Sequence, residues 1–314
     1  MIFFHQRAFI VQINVKRKSM KIPTLLEMLQ AGVHFGHQTS RWHPKMAPYI
    51  FGVRSGIHVI DIEQTQKQLE SVLGYVSGLI ARGETIVMVG TKKQLAPIVE
   101  KYAKAANVPY IHNRWLGGTF TNFEEIQKLI KNYLDLQDKR TKGELKKYTK
   151  LEQLQFDRKI DELDEKIGGI STLKKLPEAM FVFDVRNEKT AIAEARKRGI
   201  KVVAVCDTNV NPDLADYIIP ANDDSVASLE MIAKLLMQSV QDGRNQKTAQ
   251  IAEAAKKAEA AKLAKELEAA QKAEKAAKAA EDSEVTAESK ETVEDLDDAV
   301  KDELAKESEN KKRK

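Results

Sequence analysis

Residues 179–207 read AMFVFDVRNEKTAIAEARKRGIKVVAVCD, and the fold turns on how they are parsed. Ala179–Val185 is an apolar run of strand length. Asn187–Arg198 keeps a helical pattern that Gly199 closes, and Lys201–Cys206 is a second apolar, β-branched run. Strand, helix and strand in this order predict two buried parallel strands joined across a sheet face. The same alternation extends outward. Downstream, Tyr217–Ile219 is a further strand, and Asn222 or Asp223 is placed to cap a helix running to about Val240. Upstream, Thr85–Val89 is a strand ending at Gly90, and Pro109–His112 is another. Between them Thr91-Lys-Lys-Gln94 reads as a capping box opening a helix through Ala106. Asp61 caps a long helix whose apolar positions keep helical spacing up to Gly83. Thr24-Leu-Leu-Glu27 is a capping box for a short helix that Gly32 ends. Apolar strands alternating with amphipathic helices predict an α/β fold: one doubly wound parallel sheet covered on both faces.

The pattern breaks between residues 123 and 167. Ile126, Leu129, Tyr133 and Leu136 alternate steps of three and four, as do Phe156, Ile160, Leu163 and Ile167. A turn at Thr141-Lys-Gly-Glu and a capping box at Thr149-Lys-Leu-Glu152 separate the two runs, and Gly168-Gly169 ends the second. Two charged helices with one narrow apolar seam each predict an inserted antiparallel, coiled-coil-like hairpin. The expected organisation is an α/β domain at 20–122 and 168–245, the hairpin at 123–167, and flanking segments at 1–19 and 246–314. The first nineteen residues are expected to be a disordered extension or a mis-assigned start, because their basic cluster follows the apolar run. The last segment, rich in Ala, Lys and Glu and then acidic, is expected to be a solvated, partly helical tail.

The 314 residues carry a net charge of +5, and residues 20–246 hold 32 Lys and Arg against 28 Asp and Glu. A mildly basic fold permits nucleic acid without requiring it. The single cysteine, Cys206, lies inside an apolar run and is expected to be buried and inert; its solitude fits a reducing cytoplasm. No segment has the apolar length of a membrane-spanning helix.

One window departs from the charge balance. Between Glu27 and Asp61 there is no carboxylate, yet the stretch holds Arg41, Lys45, Arg54, four histidines and the aromatics Trp42, Tyr49 and Phe51. Cations neutralise phosphates and aromatic faces stack on bases, so the window suits a polyanion. A second loop, Asn113–Asn122, sets Arg114 beside Trp115 and carries two adjacent glycines that would allow close backbone approach. There Trp115 and Leu116 are expected to plug the junction with the hairpin. Lys92 and Lys93, near a predicted helix start, are weaker phosphate contacts.

The residues offer two other chemistries. Asp184 and Asp207 end neighbouring strands, where open α/β sheets bind ligands, and would serve a Mg-dependent phosphate-processing enzyme. No glycine-rich nucleotide motif or nucleophile elbow supports this, and acids after strands commonly cap turns. His34, His37 and His43 are closely spaced but have no carboxylate near in sequence, so no metal is expected.

With those loops quoted, the chain resembles the bacterial small-subunit ribosomal protein S2 family. The likeness rests on LLEMLQAGVHFGHQTSRWHPKMAPYIFG (25–52), GIHVIDIEQT, VGTKKQ, NRWLGGTFTN, LPEAMFVFDV, VCDTNVNPD and IPANDDS, in that order. It spans about Met20 to Arg244; His43 stands where the family commonly has Asn. The resemblance implies a flavodoxin-like α/β domain with a coiled-coil hairpin, no catalytic residues and no cofactor. It also implies a cytoplasmic, ribosome-bound protein that binds 16S rRNA near the head–body junction and helps dock the large mRNA-binding protein. The expected rRNA contacts are Arg41, Lys45, Arg54 and Arg114, then Lys92 and Lys93, with Trp42 and His37 shaping the loop and stacking.

Overall fold

The computed structural model describes residues 22–259. It separates into two compact units, residues 1–248 and 249–314. In the second, the described residues 249–259 are helical with exposed side chains. The expectations for residues 1–19, and for the tail beyond 259, lie outside the described residues.

The first unit is built on a five-stranded, wholly parallel sheet. Its strands are β4 (Ile86–Val89), β5 (Tyr110–Ile111), β6 (Ala179–Val182), β7 (Lys201–Cys206) and β8 (Tyr217–Pro220), in the order β5-β4-β6-β7-β8. This is the 2-1-3-4-5 order of flavodoxin-type doubly wound sheets. Successive strand residues face opposite sides, and both sides are apolar. Ile86, Met88, Phe181, Val203 and Ile219 pack on one face against α1 (Leu25–Gln30), α2 (Ile62–Ala81), α3 (Ala96–Ala106) and the last helix, α7, which begins at 226. Val87, Met180, Val182, Val202 and Cys206 pack on the other against α4 (Phe123–Thr141), α5 (Lys150–Ile167) and α6 (Lys189–Lys197). Cys206 is fully buried, and burial pushes its thiol pKa well up.

Helices α4 and α5 run in opposite directions, since Tyr133 meets Asp164 while Arg140, further along α4, meets Asp157 at 3.2 Å. Ile126, Ile130, Tyr133 and Leu136 of α4 and Ile160, Leu163 and Ile167 of α5 are buried. The Thr149–Glu152 capping box opens α5, as Thr24–Glu27 opens α1, and the Asp61 carboxylate caps α2. At the foot of α5, Gly169 lies against the Tyr110 carbonyl, a place with no room for a Cβ.

Three local expectations are corrected. Thr91 caps no helix: its N–H and hydroxyl both donate to Glu188 Oε1, at 2.8 and 2.6 Å, and α3 starts only at Ala96. Neither Asn222 nor Asp223 caps α7. The Asp223 N–H donates to Asp207, and Ser225 Oγ takes the Ser228 N–H at the helix start. At Gly117 a Cβ would meet nothing within 4 Å, so no backbone approaches there; Gly118 instead adopts φ +93°, which favours glycine.

The acid-free window folds as a three-stranded antiparallel ribbon, β1 (Phe35–Gln38), β2 (Ile50–Arg54) and β3 (Ile57–Ile60), in the order β1-β3-β2. Strand β1, with Gly36 and His37 inside it, has no apolar alternation and was not expected.

Candidate nucleic-acid interface

The ribbon is pinned over the C-terminal ends of the parallel strands. Thr208, just beyond β7, takes the His37 N–H on its hydroxyl at 2.9 Å and the His43 N–H on its carbonyl at 2.8 Å. Gly36 allows this contact, because a Cβ there would lie 2.7 Å from the Thr208 methyl. Further back, Asn222 Nδ2 donates to the Gly32 carbonyl at 3.0 Å and Ser225 Oγ to Ala31 at 3.0 Å. Met46, fully buried, anchors the short 3-10 turn at Pro44–Tyr49.

The outer side of the ribbon carries the predicted contacts. Arg41 and Arg54 are exposed, and neither forms an ion pair among the described residues. Trp42 is 39% exposed, its ring 5.2 Å from the buried His58 imidazole, and Phe51 is 81% exposed. Lys93 and Arg114 are likewise exposed and unpaired among the described residues.

The remaining three lie against carboxylates from the second half of the chain. Lys45 pairs with Asp213. Lys92 pairs with Asp224 and lies 3.8 Å from Asp184. His37 Nδ1 is 3.1 Å from Asp207, and its Nε2 is 3.5 Å from Asp224. The hydrogen bond from Asp207 raises the His37 pKa, against the opposing effect of burial. The window is therefore free of acids in sequence but not in space.

That correction extends to metal. His37, Asp207 and Asp223 offer ligand atoms within 4.8 Å of one another, a set able to hold a divalent cation. No carboxylate was expected near these histidines, because sequence distance hid Asp207 and Asp223. Burial, with Asp207 and Asp184 nearby, pushes the Asp223 pKa up to about 7.

The enzyme alternative finds no support in this geometry. Asp184 accepts from the Arg186 N–H at 2.8 Å, the Asn187 N–H at 3.1 Å and Asn187 Nδ2 at 3.0 Å, so it caps the turn after β6. Asp207 takes the Thr208 hydroxyl at 3.0 Å and the Asp223 N–H at 3.3 Å.

The Asn113–Asn122 loop is held by a residue that sequence reasoning missed. Glu194, on α6 and 8% exposed, accepts five hydrogen bonds: from Trp115 Nε1 at 3.2 Å, from the N–H groups of Gly118, Phe120 and Thr121 at 2.8, 3.0 and 3.2 Å, and from the Thr121 hydroxyl at 3.2 Å. Burial raises its pKa, but these donors outweigh burial and hold it below the usual carboxylate range. Trp115 is buried edge-on to Phe120 at 4.9 Å, the plug expected of it. Its neighbour Arg114 faces solvent.

Comparison with known proteins adds the family. A family profile described as ribosomal protein S2 matches residues 28–243. The small ribosomal subunit protein uS2 of Wolinella succinogenes is 43% identical over 221 residues, 70% of this chain and 82% of its own length. Its counterpart in Roseiflexus sp. (strain RS-1) is 42% identical over 229 residues, covering 73% and 87%. That of Helicobacter hepaticus is 42% identical over 223 residues, covering 71% and 84%. A flavodoxin-ordered sheet, a ribbon seated on its strand ends, and a match running through both lead to one conclusion: the chain belongs to the ribosomal protein S2 family.

Proposed function

We propose that this protein is a non-catalytic, structural constituent of the small ribosomal subunit and binds 16S rRNA through the outer face of its ribbon. The observation that carries the reading is that the exposed guanidinium groups of Arg41 and Arg54 form no ion pair among the described residues and share their segment with the exposed rings of Trp42 and Phe51. Arginine forks match phosphate oxygens, and flat rings stack on unpaired bases. Arg114 and Lys93 extend the positive face. Lys45, Lys92 and His37 act less directly, since each is already engaged with a carboxylate. The α4–α5 pair serves as a coiled-coil arm. The protein sits near the head–body junction, is cytoplasmic and ribosome-bound, and helps dock the large mRNA-binding protein. Exposed apolar groups such as Leu26 and Val53 suit such protein contacts.

Co-sedimentation tests the reading. Full-length protein added to small subunits that lack it should pellet with them at low salt, and release into the supernatant there would refute the proposal. Replacing Arg41 and Arg54 by Ala should flatten the slope of log affinity against log salt by about one unit per lost phosphate contact. A complex that survives nuclease treatment intact would replace RNA by protein as the partner.

A further inference from the structure

Beside the ribbon, the loops after β6 and β7 line an open cavity of about 650 Å³, within the range of small-ligand sites. Arg41 and His43 line it from the ribbon, Arg186 from the turn after β6, Lys189 from the start of α6, and Asn209 from the loop after β7. Arg41, Arg186 and Lys189 form no ion pair among the described residues. This sets the cavity apart from the neighbouring cluster, where Lys45 and Lys92 are both neutralised by acids.

Its other donors point the same way. His43 Nδ1 accepts the Lys45 N–H at 3.2 Å, so the neutral ring carries its proton on Nε2 and has a donor to spare. Asn209 Oδ1 is buried without a partner, so no bond fixes which end of the amide meets a ligand. Glu188, at the N-cap of α6, gives its carboxylate to Thr91 and none to the helix, leaving the first turn without a side-chain cap. An uncapped helix start favours negative charge. The other acid near in sequence, Asp184, is already bonded within its own turn.

We propose that this cavity seats one nucleotide unit of an RNA strand, with its phosphate shared by Arg41, Arg186 and Lys189 and its ribose hydroxyls met by His43 and Asn209. The inference rests on the rRNA-binding reading above and adds Arg186 and Lys189 to it. The volume exceeds what a bare phosphate fills, and Arg41 makes the site continuous with the ribbon's outer face.

The test measures association of full-length protein with small subunits lacking it, across a potassium chloride series. In the double variant Arg186→Gln, Lys189→Gln the salt slope should fall by up to about one unit, the share of the one phosphate these two side chains hold. The charge-preserving pair R186K, K189R should keep the wild-type slope. An unchanged slope in the double variant, with normal salt-dependent association of the wild type, overturns the cavity proposal alone. A wild type that fails to associate overturns the rRNA reading as well. Both side chains are exposed, so the fold should persist; if it does not, R186Q and K189Q singly carry the same test. Titration of the isolated protein with inorganic phosphate and with adenosine monophosphate, followed by amide NMR, separates the sources. Saturable binding of either, with the subunit slope unchanged in the double variant, would assign the cavity to a free anion and overturn the proposal.

Discussion

Replacing Glu194 by Gln should cause the largest loss of stability of any near-isosteric change in the interface. One carboxylate oxygen serves Trp115 and Gly118, and the other serves Phe120 and both donors of Thr121. An amide keeps only one acceptor oxygen. Whichever way it turns, its NH2 faces at least two donors that had a partner. Hydrogen bonds to a charged acceptor contribute roughly 1.5–3 kcal/mol each, and buried donors left unpaired carry a desolvation penalty. Two lost bonds therefore remove about 3–6 kcal/mol, a large share of the roughly 5–15 kcal/mol typical of whole domains. At roughly 2–4 °C per kcal/mol for a domain of this size, the melting temperature should drop by about 10 °C. Urea titration followed by tryptophan emission is the assay. Trp115 is one of only two tryptophans and reports on the bond in question. The pH dependence has a definite sign. The folded pKa lies below the unfolded one, so the stabilisation is present above the usual carboxylate range and lost as pH falls through the folded value. The gap between wild type and variant should therefore close in acid. A loss under about 1 kcal/mol, or a gap that stays constant down to strongly acid pH, would refute the reasoning.

Gly169→Ala should destabilise the protein by about 1–3 kcal/mol, because the new methyl would overlap the Tyr110 carbonyl and ring; thermal melts check it. Asp223→Asn should stabilise the protein above pH 7. The wild-type carboxyl has its pKa raised to about 7, so its contribution is full below the unfolded value and is lost as pH rises through 7. Burial of this group sets an upper limit of about 4 kcal/mol on the gain, read from denaturation curves between pH 5 and 9 in chelating buffer. An unchanged pH profile would count against the shift. Cys206 should react with a thiol reagent only at the rate of global unfolding, since its sulfur is shut off from solvent and its thiolate disfavoured. Fast labelling of the native protein would contradict this.

The parts of the fold legible in the sequence are those written locally. Asp61 caps α2 and Thr149 with Glu152 opens α5 because donor and acceptor lie within four residues of each other. The apolar strands were equally plain, since burial on both faces leaves no polar alternation to confuse. What failed was local chemistry claimed by distant partners. Thr91 had the right spacing for a capping box, but Glu188 takes its hydroxyl from 97 residues away. Asp223 looked like a cap and instead lies against Asp207. The candidate interface shows the same limit. Arg41 and Arg54 are exposed and form no ion pair among the described residues, whereas Lys45, Lys92 and His37 meet acids that the window could not reveal. Glu194 carries no signature, because its five donors come from a loop more than seventy residues earlier.

The pinning of the ribbon has a consequence for how the chain is made. The ribbon is synthesised early, but its anchors Thr208, Asp213, Asn222 and Ser225 come 168 to 194 residues later. Contacts that span so much sequence form late and slowly. During synthesis the ribbon is thus unsettled, and it locks down only after the last strand leaves the ribosome. A chain cut at residue 200 lacks all four anchors and should leave amides 34–60 open to hydrogen exchange, whereas the full chain protects them.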